Sequence, residues 1–174
     1  MKFSIEQNEL QYQISVAHFV VGKEYSEAIH GHNMGVRVSV IGSLDPKTRM
    51  VVDFLKLTPI VERILDQWDH RTLIPSKSPE FSPIQRSGQI EWTHRGKSYS
   101  IPAKDIVLLP VENATVEELA RLLTDEIANG LLQLDEVKRA GNIEEITVTV
   151  SEYPWQSASA SVRFKWSTTK TNKA

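Results

Sequence analysis

No cysteine occurs among the 174 residues. Disulfides, thiolate metal ligands and a cysteine nucleophile are therefore excluded at the outset. There is no basic excess either: 20 Lys and Arg stand against 22 Asp and Glu, a formal charge of -2, so nucleic acid has no support as a partner. No apolar run approaches the roughly 20 residues of a membrane span, and Met1 to Leu10 is too polar for a secretory signal. The expectation is a soluble, cytoplasmic protein with no membrane partner. The length suits one domain, residues 1–174, with a core of useful size.

What the chain does have is histidine in a particular phase. His30 and His32 flank Gly31, and on a strand residues i and i+2 share a face. The same phase continues as Met34, Val36, Val38 and Val40, so the histidines stand at the end of a core-facing row. Upstream, Tyr12, Ile14 and Val16 form a second row that ends on His18. If these two segments, about 10–19 and 32–41, pair as an antiparallel hairpin, three imidazoles converge at one end of one face. Single histidines on apolar faces are commonly ordinary core residues. Three converging ones match the ligand number of a catalytic zinc with an open fourth position.

The remaining pattern is strand, strand, helix, inserted hairpin, helix, strand, strand. Asp53 caps a helix of about 14 residues carrying Phe54, Leu57, Val61, Ile64, Leu65 and Trp68 at helical spacing. An insert at about 75–110 follows. Its Pro- and Ser-rich start, 75–83, reads as an exposed loop, and His94-Arg95-Gly96 reads as a hairpin tip with His94 solvated. Thr115 opens a capping box ahead of a second helix over 116–132. Ile146, Val148 and Val150 alternate along a third strand and place Glu152 in phase with its apolar face, where a carboxylate needs a partner. Ala158, Ala160, Val162 and Phe164 line a fourth, and the polar tail from Ser167 to Ala174 is expected to fray. The fold class is α+β: an antiparallel four-stranded sheet with two helices on one face, plus an inserted β-hairpin.

Six segments in order carry a family resemblance: Ile14 to His18, His30 to Asn33, Met50 to Phe54, Trp68 to Leu73, Thr115 to Ala120, and Val150 to Glu152. The chain resembles the 6-pyruvoyl-tetrahydropterin synthase and 6-carboxytetrahydropterin synthase family. The resemblance implies a tunnelling fold, homo-oligomers (trimers or hexamers) with active sites between subunits, and Zn2+ held by His18, His30 and His32. It implies a zinc-dependent lyase acting on 7,8-dihydroneopterin triphosphate or a related dihydropterin. Asp69 and His70 resemble the family's proton-shuttling pair, Glu152 the carboxylate that grips the pterin's N–H groups, and Thr115 and Glu117 the adjoining pterin-contact motif.

The chain departs from the family at the base. Where the cysteine stands before the histidine pair, the loop reads Glu24-Tyr25-Ser26-Glu27-Ala28-Ile29, which places Ser26 at the cysteine's position and Glu27 beside it. A serine hydroxyl does not replace a thiolate without a second base, so Glu27 is the candidate base and Glu24 its reserve. Relatives with glutamate in this loop are expected to cleave dihydroneopterin side chains to 6-hydroxymethyl-dihydropterin, as an aldolase does. Two rivals remain: a catalytically silent zinc- and pterin-binding scaffold, and an unrelated zinc hydratase that has no use for Glu152.

Overall fold

The computed structural model describes residues 1–152 and 155–166; the polar tail expected to fray lies outside them. The chain runs through β1 (Phe3–Gln7), β2 (Gln13–His18), β3 (His30–Gly42), α1 (Phe54–Leu65), β4 (Arg71–Pro75), β5 (Ile84–Arg86), β6 (Gln89–His94), β7 (Lys97–Pro102), β8 (Ile106–Leu109), α2 (Val116–Leu132), α3 (Asp135–Ala140), β9 (Ile143–Ser151) and β10 (Ser157–Arg163). This is the expected α+β class, with the antiparallel four-stranded sheet present as β10-β9-β3-β2.

Three further strands enlarge that sheet to seven. β1 pairs antiparallel with β3, while β4 and β8 extend the β2 side in parallel. The parallel pairs follow from crossovers: α1 returns the chain from β3 to β4, and the insert returns it from β4 to β8. The short helix α3 also went unforeseen; it ends on Gly141 at φ 53, the left-handed stop favoured by glycine.

Period-two alternation decides which face is dry. Met34, Val36, Val38 and Val40 are all fully buried, as are Ile146 and Val148, and they pack with Leu57, Val61, Leu119, Leu123, Ile127 and Leu131 from the helices. Each such side chain contributes about 1.5–3 kcal/mol by leaving water. Asp53 and Thr115 cap their helices, accepting from the N–H groups of Leu55 and Glu118. The opposite face is a field of hydroxyls, with Thr147 and Thr149 hydrogen-bonded to Ser161 and Ser159, and Ser15 to Asn33.

The insert is more than a hairpin. β5, β6 and β7 form a separate three-stranded antiparallel sheet, and its inner side builds a second apolar cluster of Phe19, Val21, Ile74, Phe81, Ile90 and Trp92. Two expectations are corrected here. The 75–83 stretch is not wholly exposed, because Phe81 turns into this cluster. His94 is not solvated at the tip: it is 6% exposed, with Nδ1 3.3 Å from the Glu80 carbonyl and its ring against Phe81. Both corrections have one cause, an apolar cluster that gathers residues from the segment just after β2, from β4 and from the insert.

Candidate metal and pterin site

In the β2–β3 ladder His18 pairs directly with His30 and Val16 with His32, so the three imidazoles meet at the end of the helix-covered face. Their ring centroids are 4.8, 5.2 and 4.9 Å apart, and one nitrogen from each lies within 4.8 Å of the others. The second nitrogens are committed. Nδ1 of His18 lies 2.8 Å from the Ala114 carbonyl and Nδ1 of His30 lies 2.9 Å from that of Ala28. A carbonyl only accepts, so both Nδ1 atoms carry the proton and both Nε2 atoms present a lone pair, the arrangement that orients metal-binding histidines.

His18 is 1% exposed, and its Nε2 is buried without a hydrogen-bond partner among the described residues. Burial pushes its pKa below the ordinary imidazole range, and His30 and His32 push the same way; the Ala114 carbonyl and Glu152 oppose them without reversing the outcome. A neutral imidazole with an unpartnered buried lone pair is a donor that lacks its acceptor. The donor set therefore fits zinc: three converging imidazole nitrogens and room for a fourth ligand.

Glu152 follows β9 in the phase of Ile146, Val148 and Val150, which carries it to this same end of the sheet. Its Oε1 stands 3.4 Å from His18 Nε2. The carboxylate thus faces the imidazole cluster without joining the mutually close set of three.

Asp69 and His70 come together with one another and not with the histidine cluster. Asp69 Oδ2 is 2.8 Å from His70 Nδ1, and Asp69 Oδ1 accepts the Ser15 N–H at 2.7 Å. Burial alone raises the Asp69 carboxyl, but the Ser15 amide and the His70 ring outweigh it and hold the group below the usual carboxylate range. His70 sits at φ 56, left-handed backbone that a non-glycine residue adopts at a cost of about 1–3 kcal/mol; its N–H donates to the Ser15 carbonyl at 2.7 Å and keeps it there. His70 lines an open cleft of about 400 Å³ together with Ser15, Ala17, Gly31, His32 and Asn33. The cleft thus brings His70 and one histidine of the cluster to a common opening, while Asp69 stands behind His70.

Ser26 and Glu27 lie in the connection from β2 to β3. Glu27 Oε2 accepts the Val20 N–H at 2.9 Å, the Glu27 N–H donates to the Val20 carbonyl at 3.1 Å, and Ser26 Oγ donates to the Glu27 carbonyl at 3.2 Å. Glu24 is exposed in the same loop. Thr115 is occupied as the α2 cap, and Glu117 is exposed in the first turn. Sequence reasoning missed Asn113 and Ala114. Asn113 clamps Val21, accepting its N–H at 3.1 Å and donating to its carbonyl at 2.7 Å, and Ala114 supplies the carbonyl behind His18. A backbone carbonyl leaves no mark in sequence, so only the structure finds the second of these.

A family model described as 6-pyruvoyl tetrahydropterin synthase matches residues 9–162. A protein of Methanocaldococcus jannaschii, assigned provisionally as a 6-carboxy-5,6,7,8-tetrahydropterin synthase, is 33% identical over 146 residues, 84% of this chain and 87% of its own. A Pyrococcus furiosus dihydroneopterin monophosphate aldolase is 40% identical over 57 residues, 33% of this chain and 47% of its own. Among solved structures, the 6-pyruvoyl tetrahydropterin synthase of Plasmodium vivax superposes with a TM-score of 0.87 at 24% identity, over 94% of this chain and 99% of that one. The Plasmodium falciparum enzyme gives 0.85 at 22% over the same shares. The fold is thus the tunnelling type of these pterin synthases, and the chain belongs to the 6-pyruvoyl tetrahydropterin synthase family.

Proposed function

We propose that this chain is a cytoplasmic, single-domain, zinc-dependent lyase acting on 7,8-dihydroneopterin triphosphate or a related dihydropterin. The observation that carries the reading is the convergence of His18, His30 and His32 with Nδ1 of the first two tied to backbone carbonyls. Zinc held by these three would supply Lewis-acid polarisation of the substrate's side-chain oxygens. Glu152, on the same face, grips the pterin's adjacent N–H groups through its two oxygens, with Thr115 and Glu117 flanking that subsite. Glu27 takes the proton that cysteine takes elsewhere in the family, and Ser26 steadies the loop beside it. Asp69 orients the His70 ring, so that His70 can deliver or receive a proton.

We infer a homo-oligomer, a trimer or hexamer, with active sites between subunits. Asp69 and His70 stand outside the mutually close set of three histidines, and a second copy would bring its own pair to that set.

A second reading within the same site is aldolase-like cleavage of dihydroneopterin to 6-hydroxymethyl-dihydropterin. Glu27 in place of cysteine favours it. Two relatives add support: the Pyrococcus furiosus one is named an aldolase, and structures of the Plasmodium vivax enzyme include Ala and Cys replacements of a catalytic glutamate. Incubating the zinc-loaded protein with 7,8-dihydroneopterin and with its triphosphate, then separating the pterins by chromatography, distinguishes the two. Release of triphosphate or a side-chain-shortened pterin is expected. If neither substrate is consumed by protein of confirmed zinc content, the lyase reading falls and the scaffold takes its place.

Glu152→Gln is expected to weaken pterin binding by about tenfold or more, because the amide sets a donor against the pterin's own donors. Fluorescence titration with a dihydropterin measures this. Zinc content should stay at the parent level, since Glu152 lies outside the three-histidine set; unchanged affinity removes Glu152 from the pterin subsite.

A further inference from the structure

The connection over residues 19–29 is braced from three directions, and one of them is the inserted sheet. Within the loop, Gly22 N–H donates to the Tyr25 carbonyl at 3.0 Å and Glu27 N–H to that of Val20 at 3.1 Å, so the chain folds back on itself. Gly22 allows this fold: a Cβ there would stand 2.3 Å from the Tyr25 ring. From the β8–α2 side, Asn113 holds both polar atoms of the Val21 backbone.

The third brace has two parts. At the loop's root, Phe19 is 1% exposed and its ring lies parallel to Trp92 of β6, with centroids 5.9 Å apart; Trp92 stacks in turn on Tyr99 of β7 at 4.7 Å. At the loop's turn, Arg95 Nη1 donates to the Lys23 carbonyl at 2.6 Å, a contact between residues 72 apart in sequence. Arg95 reaches it from a tight turn in which it and Gly96 take φ values of 49 and 75, and the buried His94 pins that turn to Glu80.

We infer that the insert braces the Glu27 loop and that Arg95 is a positioning residue for it, holding the loop so that the Glu27 carboxylate stands where its proton is to be taken. The inference rests on Glu27 being the base. An exposed loop closed only by its own backbone bonds samples many carboxylate positions, and proton transfer tolerates displacements well under 1 Å. The Phe19 stack fixes the root of the loop and Arg95 its turn, while the Val20 N–H holds the Glu27 carboxylate on the returning limb. The insert thereby has a role inside its own chain.

The test compares the zinc-loaded parent, Arg95→Ala, Arg95→Lys, Glu27→Gln and the Arg95→Ala, Glu27→Gln double variant, with dihydroneopterin as substrate and amide hydrogen exchange as a second readout. Arg95→Ala should lower kcat about tenfold with KM and zinc content unchanged, and should speed exchange at residues 20–27. Arg95→Lys should recover most of the loss, since an ammonium donates to the same carbonyl. In the Glu27→Gln background Arg95→Ala should cost nothing further, the coupling expected if it acts through that carboxylate. Parental kcat and parental exchange in Arg95→Ala overturn the inference, as does a full tenfold loss that persists without Glu27. If Glu27→Gln itself turns over normally, the base assignment is what has failed, and faster exchange in Arg95→Ala still separates a braced loop from an unbraced one.

Discussion

His32→Ala should strip most of the zinc from the protein while leaving it folded. The parent should carry about one ion per subunit, because His18, His30 and His32 make one three-nitrogen set and leave one position open. Removing His32 leaves two imidazoles and a gap that only water can fill. The fold should survive because His32 is half-exposed at the end of β3, beyond the fully buried row that begins at Met34. His18→Ala is the less clean variant, since that ring is buried against Ala114 and its loss also opens a cavity. His70→Ala provides the control: it lies outside the three-histidine set and should keep its metal. Metal analysis after dialysis, with thermal unfolding as the check on folding, reads all of this. Full occupancy in His32→Ala would show that the ion sits elsewhere, and loss in His70→Ala would show that His70 and the histidine set share one site.

The strand phase that makes this prediction was legible because period-two alternation is local. Each residue's face follows from its neighbours, so the rows ending on His18, His32 and Glu152 and their common destination could be read directly. Caps are equally local, which is why α2 begins and ends as its sequence indicates, with Thr115 ahead of it. What stayed hidden was non-local. β1 has too short and too exposed a row to announce a partner some 35 residues on, and the parallel pairs of β4 with β2 and β8 depend on crossovers whose course sequence does not state. His94 looked like a turn residue because nothing adjacent to it reveals that Phe81 will fold over it. The resemblance named Asp69 and His70, but the left-handed backbone at His70 is a fact of the β2–β4 junction that the sequence does not state.

Glu27→Gln should lower turnover by about 10² or more with zinc and pterin still bound, the size expected for losing a general base. A carboxylate is a weaker base than a thiolate, so the substitution of one for the other within a family needs a reason. Zinc held by His18, His30 and His32 would acidify a nearby substrate hydroxyl, and a proton made more acidic can go to a weaker base. The geometry makes the variant a clean one. Glu27 Oε2 is engaged by the Val20 N–H at 2.9 Å, and a glutamine carbonyl can accept that same bond, so the loop keeps its shape while the second oxygen gives way to an N–H2 that takes no proton. Ser26→Ala should cost far less, because its hydroxyl donates to the Glu27 carbonyl at 3.2 Å and has no base of its own to activate it. Glu24→Gln should be close to the parent. Steady-state turnover alongside zinc content and pterin affinity measures each variant. Normal turnover in Glu27→Gln with a loss in Glu24→Gln moves the base three residues back along the loop; normal turnover in both takes the base out of this loop and leaves His70, oriented by Asp69, as the group that must take the proton.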